Sequence, residues 1–368
     1  MSFNRAGCCC PKEIFLSSYD RDFVFGSTDG FRKFIDDGAG MALDASAFAV
    51  RYCSIMLDSD YVYTSSVVGS NSNSTLTKRN RSDIAQVWLQ SLSDFAFGSN
   101  GTSVFPRNNS VWVTGISKAT GLLRVERRLK STGAVEWSYE HASYKSPVFE
   151  DGHCIWVDED ETAWIPALED LGFPDDSHIV EVDADGTEIS SFFVFSGTTN
   201  VQSITAIWKL ANTYDAGGNR TAEGDILVSC DDFAYGRFTP SGTEVWFVAA
   251  TSAITSTLDL AVNESIGEMY VGGANGIGLG FKNTIRAVDL SDGSTIRAIF
   301  VAPSNTAYEF DRIRCCGTDL YITPNSTTGA NPPGEIQRYT RLDTEVWREG
   351  GAGITKPIRH MASFVRGS

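Results

Sequence analysis

Long apolar runs are missing from this chain. No stretch reaches the roughly 18 apolar residues that a membrane-crossing helix needs, so no such helix is expected. The segment Met1-Ser2-Phe3-Asn4-Arg5-Ala6-Gly7-Cys8-Cys9-Cys10-Pro11 has no apolar core of the secretory-leader kind. Neither a signal peptide nor a lipid-modified Cys8 is therefore expected. Histidine is scarce: His141, His153, His178 and His360 are all there is, and none has the HExxH spacing. The cysteines form no CxxC pair, which removes the usual zinc and thioredoxin motifs. GxSxG and GxxxxGK[ST] are absent as well. Hydrolase, kinase and nucleotide-dependent chemistry all lack their parts.

Positive charge is also in short supply. Lys and Arg number 30 against 46 Asp and Glu, a formal net charge of −16 and a pI near 4.7. Such a surface repels phosphate backbones, so no nucleic-acid partner is expected.

Glycine and short apolar runs are abundant. Val, Ile, Phe, Tyr and Trp cluster in runs of a few residues, separated by turns drawn from 34 glycines and many Asp, Asn and Ser. That pattern belongs to many short strands. One unit recurs: a strand, a tight turn with Asp or Gly, then a short strand that often carries an aromatic. Its turns fall at positions 30, 83, 133, 186, 242, 293 and 343, spaced by 53, 50, 53, 56, 51 and 50 residues. A period of this length holds about four strands of five or six residues with their turns, which is one propeller blade. The aromatic after the turn is expected to pack between neighbouring blades.

Upstream strands fall into register, among them Tyr61-Val62-Tyr63, Val111-Trp112-Val113, Cys154-Ile155-Trp156-Val157 and Met269-Tyr270-Val271. The first unit lacks its innermost strand. Residues 13–16, 22–25 and 31–34 are expected as its second, third and fourth strands. The chain ends in residues 357–365, a first strand with nothing after it. The two leftovers complete one blade. The fold expected is all-β: a seven-bladed β-propeller with four-stranded blades over residues 12–368, closed by its terminal strands, with residues 1–11 as an extended arm.

The unit resembles the pyrroloquinoline-quinone (PQQ) type repeat. Met269-Tyr270-Val271-Gly272-Gly273 followed by Arg286-Ala287-Val288-Asp289-Leu290-Ser291-Asp292-Gly293 carries the resemblance best, and residues 179–186 repeat it. No Trp-Asp dipeptide occurs, which argues against WD40 repeats. Quinoprotein dehydrogenases with this repeat bind PQQ and calcium beside an adjacent-cysteine disulfide. Cys315-Cys316 is such a pair, but neither the calcium ligands nor a catalytic aspartate can be placed. No catalytic residue, cofactor or metal is therefore expected. Assembly lipoproteins with this repeat are non-enzymatic scaffolds, but their signal and lipobox are missing here.

Other candidates have plainer readings. Asp183-Ala184-Asp185-Gly186 resembles the start of a calcium loop but sits on a repeat turn. Glu150-Asp151, Asp158-Glu159-Asp160-Glu161 and Asp175-Asp176 are expected to decorate one face, with a divalent ion or a basic partner as the functional alternative. Cys53, Cys154 and Cys230 lie in apolar runs and are expected to act as small hydrophobes. Phe3, Arg5, Cys8, Cys9 and Cys10 of the arm are the expected partner-binding residues. The function expected is a non-enzymatic platform docking to other subunits of a larger assembly. A virion is the assembly expected, with this chain as a phage tail or head-surface adaptor or decoration protein. The alternatives are a ligand-binding or quinoprotein-like enzyme using the central channel, and a cellular assembly scaffold.

Overall fold

The computed structural model describes residues 12–18, 30–36, 41–48, 51–67, 74–96, 102–146, 155–169, 176–196, 204–214, 220–230, 234–249, 256–274, 284–300, 308–316, 319–326, 335–340, 345–350 and 358–365. They form seven antiparallel blades, six of them four-stranded. Blade 2 runs Arg51–Leu57, Tyr61–Val67, Ser74–Asn80 and Gln86–Leu92 from the inside outward. Blade 3 is Ser103–Arg107, Ser110–Ile116, Leu123–Leu129 and Val135–Glu140. Blade 5 is Ile204–Lys209, Ile226–Cys230, Ala234–Phe238 and Glu244–Val248. Blade 6 is Ser256–Asn263, Glu268–Ala274, Thr284–Asp289 and Thr295–Phe300. Blade 7 is Tyr308–Cys316, Asp319–Ser326, Glu335–Thr340 and Glu345–Gly350. Among the described residues the one helical element is the 3-10 turn Glu264–Ile266.

Blade 1 joins the two ends of the chain. Ile358–Val365 is its inner strand and pairs with Lys12–Ser18, with Lys12 opposite Val365 and Phe15 opposite Ala362. The seam is the one expected, but the outer half of the blade is not. Residues 31–34 belong to the third strand, Gly30–Asp36, and Met41–Phe48 is the outer one. Residues 22–25 lie outside the described residues. Phe31 and Phe34 are fully or almost fully buried, as a strand inside the blade requires. Gly30 therefore opens a strand, and the blade's third-to-outer connection falls on residues 37–40. The other six turn positions do lie between third and outer strands.

Blade 4 departs in its inner edge. That edge is split into Tyr144–Lys145 and Trp156–Val157, both pairing with Ala163–Glu169, which is followed by Asp176–Val182 and Glu188–Ser196. Trp156–Val157, expected as a second strand, is thus half of an inner one. The break faces Pro166, which has no N–H to give to a ladder.

The apolar core lies between the blades. Trp112, Val125, Ile165 and Val180 form one cluster across blades 3 and 4, and Ile207, Val228 and Trp164 another across blades 4 and 5. Cys230 is one of the buried hydrophobes, and Cys315 packs on the cluster shared by blades 6 and 7. Turn glycines lock the blades together. Gly133, Gly186, Gly242 and Gly293 have φ of +74°, +85°, +81° and +75°. Each also lies under an aromatic of the preceding blade's outer strand: Trp88, Trp137, Phe192 and Trp246 respectively. A Cβ on Gly186 would stand 2.8 Å from the Trp137 ring. Gly186→Ala is therefore expected to lower stability by about 1–3 kcal/mol in a urea melt, combining backbone strain and clash. A loss below about 0.5 kcal/mol would mean the turn relaxes freely.

Candidate functional site

A second device ties blade to blade at three junctions, and blade 4, which lacks it, borders a groove. In blade 2, Lys78 and Trp88 are cross-strand partners on the third and outer strands. Both donate to the Lys130 carbonyl of blade 3, Nζ and Nε1 each at 3.0 Å. Arg127 and Trp137 of blade 3 repeat this on the Ala184 carbonyl of blade 4, at 3.3 and 2.8 Å. Arg237 and Trp246 of blade 5 repeat it on the Leu290 carbonyl of blade 6, at 2.6 and 3.0 Å. A cation and an indole thus converge on one carbonyl at three junctions.

Blade 4 puts Glu181 and Ser190 at these two places. Ser190 Oγ donates to Glu181 Oε2 at 2.7 Å, so the pair turns inward on itself. What remains between blades 4 and 5 is an open groove of about 590 Å³. Trp164, Glu181, Ser190, Glu223, Asp225 and the blade 5 turn at Thr239, Pro240 and Ser241 line it. Burial pushes the Glu181 carboxyl above its ordinary range, and Glu223 adds to the rise.

Beneath the groove lies a buried ion pair. Lys209 Nζ is 2.5 Å from Asp158 Oδ2, and both side chains are almost wholly buried. The Trp156 and Trp164 indoles donate to the same carboxylate at 3.2 and 3.3 Å. Lys209 also reaches Asn212 Oδ1 at 3.0 Å and Glu223 Oε1 at 3.1 Å. Burial raises the Asp158 carboxyl, against the lowering effect of Lys209. The acidic run 158–161 is the surface decoration expected only at Glu159 and Asp160, which are exposed, while Asp158 and Glu161 are buried. Asp158 is internal, Glu159 pairs with Arg107 at 2.7 Å, and Glu161 pairs with Arg127.

At the opposite end of the third strand stands a second polar cluster. His141, Tyr144 and His178 form a ring stack with centroid spacings of 4.0 and 4.6 Å. Phe193 closes it edge-on, 5.8 Å from His178. Glu188 lies 3.6 Å from His141 Nε2 and accepts the Tyr139 hydroxyl. Glu169 Oε2 lies 3.2 Å from His178 Nε2. Burial pushes both imidazoles below their ordinary pKa, against the raising effect of these carboxylates.

Sequence reading did not find either assembly. The first signal was available: four residues past the turn glycine stand Trp137, Ser190 and Trp246 in blades 3, 4 and 5. The second has no short motif, because its members come from separated strands. Phe3, Arg5, Cys8, Cys9 and Cys10 lie outside the described residues, as do Glu150, Asp151 and Asp175. Asp183 spends Oδ1 on its own turn, accepting the amides of Asp185 at 2.9 Å and Thr187 at 2.8 Å. Cys315 is a half-buried thiol on the inner strand of blade 7.

No family model matches the chain, and no curated protein does. Solved structures do match. The chain is similar to the Pan2 WD40 domain of Neurospora crassa at TM-score 0.53 and 11% identity, with 85% of this chain and 82% of that one covered. It is similar to the C-terminal WD40 domain of Sif2 at TM-score 0.51 and 12% identity, covering 97% and 89%. A protein from Lactobacillus plantarum matches at TM-score 0.59 and 12% identity, covering 96% and 99%. At such identities what is shared is the fold, which in this chain is a seven-bladed β-propeller without the Trp-Asp dipeptide.

Proposed function

We propose that this chain is a non-enzymatic interaction platform that docks to protein subunits of a larger assembly, and that the groove between blades 4 and 5 is its docking site. One observation carries the reading. At three other junctions the chain fills the equivalent place with its own cation and indole, while at this one it offers carboxylates and leaves room. The occupant that matches is an Arg or Lys side chain from a partner. Exposed ion pairs contribute little, but a groove that removes water from a bidentate guanidinium raises its worth. The PQQ-type repeat serves here as architecture, with no quinone chemistry.

A phage or virus particle is the assembly that suits an acidic propeller with an apolar, cysteine-rich stretch before its first strand. The test fills the groove from within. Glu181→Arg combined with Ser190→Trp restores the pair seen in blades 3 and 5. Produced together with the products of neighbouring genes, the unaltered chain is expected to cosediment with the assembled particle. The double variant is expected to melt no lower and to stay in the soluble fraction. Incorporation of both to the same level would overturn the groove. Absence of the unaltered chain from every particle fraction would overturn the virion reading. A chain beginning at Lys12 tests the arm separately, and is expected to melt within a few degrees of the full chain while failing to assemble.

A further inference from the structure

We propose that Glu169, Asp176 and His178 form a binding site for a divalent first-row transition metal ion of the zinc class. The site is independent of the groove and lies at the other end of the same strand.

The backbone brings the three residues together. Glu169 and Asp176 are directly opposite each other at the ends of two antiparallel strands. His178 lies two residues beyond Asp176, so its side chain leaves the same face of the sheet. One ligand atom from each lies within 4.8 Å of the others. Zinc bonds to imidazole nitrogen and carboxylate oxygen measure about 2.0–2.2 Å, so two ligand atoms on one ion stand at most about 4.4 Å apart. A side-chain shift of a few tenths of an ångström brings all three onto one ion.

A separate observation points to a missing ligand. His178 is 8% exposed, and its Nε2 has no hydrogen-bond partner despite the 3.2 Å approach of Glu169 Oε2. The carboxylate oxygen thus lies off the direction in which the ring nitrogen can bond. A buried polar atom without a well-aligned partner is destabilising. An ion seated between the ring nitrogen and the two carboxylates removes that cost and neutralises the acids.

The surroundings hold the ring as a ligand must be held. Nδ1, the nitrogen turned away from the carboxylates, lies 3.4 Å from the Tyr144 hydroxyl. Tyr144 on one side and Phe193 at the edge fix the ring plane, and His141 backs Tyr144. A metal-bound imidazole whose second nitrogen is tethered in this way has its tautomer and orientation set. Glu169 is 35% exposed on its side chain, which gives an ion a way in. Calcium and magnesium take six or more oxygens, so an imidazole with two carboxylates selects against them. Three protein ligands leave one position of a tetrahedron for water or for a donor from a partner.

The test must separate this site from the cysteines. Co²⁺ is titrated into the reduced full chain and followed by visible absorption, with Zn²⁺ affinity measured by competition against a chromophoric chelator. One equivalent is expected to bind with a ligand-field spectrum that lacks thiolate charge-transfer bands. Asp176→Asn and His178→Gln are each expected to weaken Zn²⁺ binding by about tenfold or more. Glu169→Gln, at a ligand 35% exposed on its side chain, repeats the test should His178→Gln lower the melting temperature. Equal affinity in the unaltered chain and in Asp176→Asn and Glu169→Gln would overturn the site, as would a thiolate spectrum or the absence of binding. Equal affinity for Mg²⁺ would overturn the metal class.

Discussion

Removing residues 356–368 is expected to lower the melting temperature by about 6 °C or more while the circular dichroism stays β-rich. The deletion takes away the inner strand of blade 1, which pairs with seven residues of Lys12–Ser18. It also opens blade 1 toward the inner strands of blades 2 and 7, which flank the lost strand. Backbone hydrogen bonds contribute about 0.5–1.5 kcal/mol each, so the lost pairing alone amounts to some 5 kcal/mol. For a domain this large each kcal/mol moves the midpoint by about 1.3 °C, so the lost pairing accounts for some 6 °C. The truncated ring also presents an unpaired strand edge to other molecules, so aggregation should begin at a lower temperature. An unchanged melting curve would show that the ring does not depend on its seam.

The second large effect concerns the buried pair below the groove. Lys209→Met is expected to cost about 3–5 kcal/mol, because it leaves the Asp158 carboxylate buried without its cation. The loss should depend on pH with a definite sign. Burial already raises the folded-state pKa of Asp158, and removing Lys209 raises it further. A carboxyl with a raised folded pKa stabilises the fold below its unfolded pKa, and that stability is lost as pH rises through the folded value. The deficit of the variant should therefore shrink as pH falls from about 7 to about 5. Adding Asp158→Leu should recover much of the loss at pH 7, since an apolar pair of similar volume needs no hydration. A deficit independent of pH would mean that Asp158 finds another cation.

The period of the repeat was legible because four of its turns need the same two things. Positive φ and the lack of a Cβ beneath an aromatic both demand glycine, so Gly133, Gly186, Gly242 and Gly293 mark their blades. Blade 1 misled because Asp29-Gly30 precedes Asp37-Gly38 by eight residues, and only the second lies between third and outer strands. The inner edge of blade 4 was hidden for another reason. Trp156-Val157 has the side chains of a strand, but its own residues do not say that it shares an inner edge with Tyr144–Lys145 on Ala163–Glu169. The groove was half legible: the serine at 190 could be seen, but not that Glu181 stands opposite it. Of the metal cluster only Asp176 stood out in the sequence, among acidic groups with a divalent ion as their functional alternative. The cluster's carboxylates meet across a hairpin, and its ring is oriented by Tyr144 from a different strand.

The seam of blade 1 also sets a timetable. Lys12 and Val365 are neighbours in the sheet, yet 353 residues separate them along the chain. At the usual 5–20 residues per second, a ribosome needs roughly 20–70 s to cover that distance. Throughout that interval Lys12–Ser18 has no inner neighbour, and the growing array is an open crescent with two exposed rims. Blades 2 to 6 can each fold from local sequence as they emerge, so only the last docking event must wait for release. A chaperone or an assembly partner that occupies the Lys12–Ser18 rim early would hold the crescent open, and the final strand would then have to displace it.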